Sequence, residues 1–148
     1  MSDFIKNAVE TGVRRAADER NSARARDELR VGRLTGFKQT EHNTLQRMFD
    51  AANEEFRDRY GITFKVEKKQ EEGRLQEVRF SHGREDTLSY FSASCNEAGE
   101  VIINCYVISN AVAAPQATFG DASASVFESA FGHWVERFVH HMERERNR

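Results

Sequence analysis

The chain predicts an α+β fold: a four-stranded antiparallel meander sheet with two helices N-terminal to it and one long helix C-terminal, the second and third helices packed on one sheet face. Three observations lead there. Apolar residues alternate with polar ones between Ile62 and Val107, glycine-bearing turns interrupt that stretch at hairpin spacing, and helical apolar stripes flank it on both sides.

The sheet, residues 62–108, is read from its turns. Glu71-Glu72-Gly73 and Glu97-Ala98-Gly99 each end on a glycine, the residue that enters left-handed backbone without steric cost, as three-residue hairpin loops require. The first turn sets Ile62, Phe64 and Val66 opposite His82, Phe80 and Val78. The last sets Cys95, Ala93, Phe91 and Ser89 opposite Val101, Ile103, Cys105 and Val107. A four-residue connection, Gly83 to Asp86, joins the middle strands with Val78 against Phe91. One continuous apolar face results. The reverse face carries Lys65, Glu67, Glu77 and Arg79 on the first hairpin, but Leu88, Tyr90, Ile102, Asn104, Tyr106 and Ile108 on the second, which is too apolar for plain solvated surface.

Each helix has its own character. The first, over residues 3–28 with Ser2 as its cap, puts Phe4, Ile5, Ala8, Val9, Val13 and Ala16 on one side. Beyond Ala17 arginines and acids take over every side, and Gly32 and Gly36 mark a linker over residues 31–39, so that residues 1–33 form a helix followed by its exit. The second helix, residues 40–60, opens at Thr40 as N-cap, carries Leu45, Met48, Phe49, Ala52, Phe56 and Tyr60, and stops at Gly61. The third, residues 122–146, is capped by Asp121 or Ser123 and carries Val126, Phe127, Phe131, Trp134, Val135 and Phe138 over a wide arc. The connection before it, from Asn110 to Gly120, holds the only proline, Pro115, and packs through Val112 and Phe119.

At 148 residues the chain suits one domain, and such a chain buries roughly 70% of its unfolded surface. The net charge of −2, with signs interspersed, leaves no overall footprint for nucleic acid or an anionic membrane. Residues 1–13 lack a secretory apolar core and no run reaches the ~18 apolar residues of a membrane span, so a cytoplasmic protein without a membrane partner is expected. Cys95 and Cys105 fall four pairs out of step on neighbouring strands, about 14 Å apart and beyond the ~7 Å reach of a disulfide, so both read as buried thiols.

Candidate chemistry is sparse. No Gly-x-Ser-x-Gly, phosphate-binding loop or Cys-x-x-Cys occurs, and neither a catalytic residue nor a cofactor is predicted. His133, Glu136 and His140 share a flank of the third helix, but the histidines stand two turns apart, too far to share a metal, and His141 reads as a packed, hydrogen-bonded residue. His82, beside the Gly83 turn, is the titratable residue to watch. The arginines from Arg14 to Arg33 are matched by acids at i,i+4 spacing, Arg14 with Asp18, Arg15 with Glu19 and Arg24 with Glu28, which argues against a phosphate-binding surface.

The expected function is therefore a non-catalytic protein-interaction module, adaptor or chaperone-like, forming a homodimer or binding another protein. Its surface is Leu88, Tyr90, Ile102, Asn104, Tyr106 and Ile108 on the second sheet face, with Phe4, Ile5 and Val9 on the first helix. The alternative is a small-molecule-binding domain or enzyme with a pocket around Tyr90, Asn104 and Tyr106, and the lesser one nucleic-acid binding through the arginine-rich helix.

Overall fold

The computed structural model describes residues 2–84, 87–108, 117–119 and 124–147. In chain order these form α1 (Ser2–Thr40), a π-helical turn (Glu41–Leu45), α2 (Gln46–Tyr60), β1 (Lys65–Glu71), β2 (Arg74–His82), β3 (Ser89–Cys95), β4 (Val101–Tyr106), β5 (Ala117–Phe119) and α3 (Ala124–Arg146). The α+β class and the meander hold, with the order β1-β2-β3-β4 extended by the short β5. The chain divides into two compact units, Met1–Gly32 and Arg33–Arg148. The first is helix alone; the second contains everything else.

Within the second unit, residues 33–40 are helical, which corrects the linker expected over residues 31–39 and the N-cap expected at Thr40. Thr40 has helical dihedrals, φ −66° and ψ −38°, and its hydroxyl donates to Gly36 O inside the helix. The physical reason is a buried stripe that begins at Leu34 and runs through Phe37, Glu41, Leu45, Phe49, Ala52 and Phe56. Three successive four-residue steps, 37 to 41 to 45 to 49, would drift off one face of a 3.6-residue helix, and the wider π turn at Glu41–Leu45 brings them back. Tertiary packing outweighs the cost of Gly36. Polar contacts reinforce this segment: Arg33 donates to Ala98 O in the β3–β4 turn at 2.6 Å, and Lys38 to Gly73 O in the β1–β2 turn at 3.1 Å.

The β3–β4 pairing agrees residue for residue with expectation, Cys95 opposite Val101 and Phe91 opposite Cys105. The other two registers are each displaced by two residues. In the first hairpin Val66 meets Phe80, because Glu72 (φ 54°) and Gly73 (φ 76°) both enter left-handed backbone and make a two-residue loop, and a bulge then inserts Gln76 between the pairs Gln70–Leu75 and Lys69–Glu77. In the second, Phe80 meets Phe91 and Val78 meets Ala93, since the connection lengthens to Gly83–Leu88. A two-residue shift keeps every side chain on its face, so the face assignment survives both corrections. The bulge also turns Leu75 onto the buried face.

That face is sealed by α2 and α3. Phe49 stacks on Phe80 at 4.6 Å, Phe131 meets Phe91 edge-on at 5.1 Å, and Trp134 meets Phe64 edge-on at 5.4 Å. Polar pins fix the helices to the strands. Asn53 donates to Phe64 O and accepts from Phe64 N at 3.0 and 2.7 Å, completing backbone pairing just before β1, and Trp134 Nε1 donates to Tyr106 O at 3.1 Å. The plain connection expected over residues 110–120 is revised at 117–119, where β5 pairs with β4, Val101 opposite Phe119. Val112, Pro115 and the expected caps Asp121 and Ser123 lie outside the described residues.

Candidate functional site

Taken by itself, Met1–Gly32 has no second layer on which to bury its stripe. Phe4, Ile5, Val9 and Val13 are 73%, 58%, 59% and 63% exposed, and with Leu29 they are the exposed large hydrophobics among the described residues. They lie on two adjacent i,i+4 rows, Phe4-Ala8-Gly12-Ala16 and Ile5-Val9-Val13-Ala17, and the space where a Cβ would stand at Gly12 is open. Among the described residues the expected ion pairs at Arg14, Arg15 and Arg24 do not close; the pair formed is Arg30 to Asp27 at 2.9 Å.

The second sheet face is where the alternation put it. Tyr90 and Tyr106 sit on paired positions opposite the buried face, their rings stacked at 6.1 Å, with the Arg79 guanidinium 4.5 Å over Tyr90. Leu88, Ile102, Asn104 and Ile108 are half-buried like the tyrosines, and Ser92 is buried, its hydroxyl 3.4 Å from a Glu77 carboxylate oxygen. Half-buried rather than open, these side chains present less free apolar surface than their composition promised.

Three clefts in the second unit are lined by other residues than Tyr90, Asn104 and Tyr106. One of about 520 Å³ opens at the end of the sheet, where His82 closes β2 and Ser89 starts β3, against His141 and Arg144 in the last turns of α3. Ile62, Ile108, Phe138 and Met142 supply its apolar walls. His141 is half-buried, and its Nδ1 is buried without a hydrogen-bond partner, which corrects the bonded ring expected there. His133, Glu136 and His140 are exposed, and no metal-holding group of His, Cys, Asp or Glu occurs among the described residues.

Two further groups carry unusual environments. Glu41, 2% exposed, lies in the core stripe with Lys68 Nζ 3.0 Å from its Oε1, yet that oxygen has no hydrogen bond, so it is held by charge proximity rather than by an aligned donor. Both cysteines are free thiols, and burial pushes each above the ordinary range, with only small opposing pulls from Arg33 on Cys95 and Arg137 on Cys105. That suits inert core residues rather than nucleophiles.

No helix of the described residues is long and apolar enough to cross a membrane. Compared with known proteins, the chain matches no family model, no curated protein and no solved structure.

Proposed function

We propose that the protein is a non-catalytic interaction module that pairs with a second copy of itself through the helix of Met1–Gly32. One observation supports this above the rest: among the described residues, the large hydrophobics left exposed are those of this helix. A helix without a packing partner is marginal in water, and Val9, Thr11, Gly12 and Val13 all lower its intrinsic propensity, so its formation benefits from a partner.

A second copy fits the pattern. Adjacent i,i+4 rows are the ridges that interlock when two helices cross at about −50°, and a two-fold crossing at Gly12 sets Ala8 of one copy against Ala16 of the other with backbones close. Mixed charges on the remaining faces favour neither an acidic nor a basic partner. Burying four large side chains per copy at ~1.5 kcal/mol each yields about 12 kcal/mol before an association cost of roughly 4–15 kcal/mol. The dimer is accordingly weak and concentration-dependent. The second sheet face, with Leu88, Tyr90, Ile102, Tyr106 and Ile108 half-buried, is a lesser contact surface in this reading.

Amide hydrogen exchange tests it. Protection over residues 4–16 should rise with protein concentration and vanish in Val9→Asp while the sheet stays protected. Equal protection at all concentrations would remove the proposal.

A further inference from the structure

The geometry points to a second, separate site: the cleft at the sheet end binds a small amphiphile with an anionic head, its body against Ile62, Ile108, Phe138 and Met142 and its head at Arg144 and His141. The volume, about 520 Å³, lies within the ~300–1,000 Å³ range of small-molecule sites, and the division into apolar walls and a few polar groups is what such sites share. Hydrogen-bond donors predominate among those groups. Arg144 brings its guanidinium, and the hydroxyls of Thr87 and Ser89, which accept from Arg84 N and Ile108 N, keep their own hydrogens to give. His141 lines the same cleft, its Nδ1 buried and without a hydrogen-bond partner. His82 adds a second imidazole, held with its ring 5.3 Å from Phe64. Glu145 is the acid among the described lining residues.

The site lies wholly within Arg33–Arg148 and does not depend on self-association. Octanoate is the probe, followed by methyl and imidazole NMR shifts of the full chain, with 1-octanol and inorganic phosphate as controls for body and head. For a ligand of this size, saturable shifts at Ile62, Ile108, Met142 and His82 with a Kd on the order of 1 mM are expected. Arg144 is exposed, so Arg144→Gln folds, and it should weaken octanoate about tenfold while leaving 1-octanol unchanged. Octanol binding as tightly as octanoate, an unaltered Kd in Arg144→Gln, or no saturable shift at these residues would each overturn the assignment.

Discussion

Removing the ammonium that faces the buried Glu41 carboxylate is the sharpest test of the packing. The Nζ to Oε1 distance is 3.0 Å, and at an effective dielectric of ~20 the attraction is about 5–6 kcal/mol. The Lys68 side chain is 33% exposed, so in Lys68→Met some water reaches the carboxylate and recovers part of this, leaving a loss of about 3 kcal/mol, the low end for isolating one member of a buried pair. The opposite deletion is milder. In Glu41→Leu the lysine can extend into solvent while the leucine joins Phe37 and Leu45 in the stripe, so the loss is under about 1 kcal/mol, and the double variant Glu41→Leu/Lys68→Met lies close to the parent. Urea unfolding of the four proteins gives the coupling directly, and thermal scans should place Lys68→Met roughly 10 °C below the parent. If Lys68→Met falls within about 0.5 kcal/mol of the parent, or Glu41→Leu proves the more damaging, the carboxylate is not held as described.

Further outcomes follow from single contacts. Asn53→Leu loses both bonds to the Phe64 backbone and leaves a buried N–H and C=O unpaired, lowering stability by about 2 kcal/mol in the same urea assay; a change below a third of that would deny the pin its role. Gly99→Ala meets a φ of 81° and the aliphatic stem of Arg33 together, so it should cost about 2 kcal/mol, and Arg33→Ala should recover part of it through relief of the clash. Raised thiol values for Cys95 and Cys105 mean that the unfolded chain ionises first as pH climbs, so this contribution is intact below the ordinary thiol range and is lost as pH rises through the folded values. Native labelling of either cysteine by iodoacetamide at neutral pH should accordingly be far slower than in urea; equal rates would contradict their burial.

Much of the sheet was legible because side-chain alternation survives any even slip. The Gly99 turn was read correctly, so β3 and β4 paired as expected, whereas at Glu72 a non-glycine residue took left-handed backbone and shortened the first loop, which no propensity signals. Helix over residues 33–40 was missed for a different reason. Leu34, Phe37, Leu45 and Phe49 carry the period, but Gly32 and Gly36 read as breakers and the charge of Glu41 hid the stripe's continuity. Three residues of β5 are too few to show alternation. The exposed helix stripe was visible from spacing alone, while the cleft gathers residues from Ile62 to Glu145, of which His82, Ile108 and His141 stood out separately and nothing in their spacing brings them together.

Sedimentation of the full chain over a wide concentration range tests the helix-mediated pairing most directly. The proposed dimer requires the mass to climb from 17.0 kDa toward twice that value, and an Ile5→Asp/Val9→Asp variant with unchanged circular dichroism in its sheet to stay at 17.0 kDa throughout. A parent that sediments as a 17.0 kDa species up to about 1 mM, or a charged variant that still doubles in mass, would contradict it.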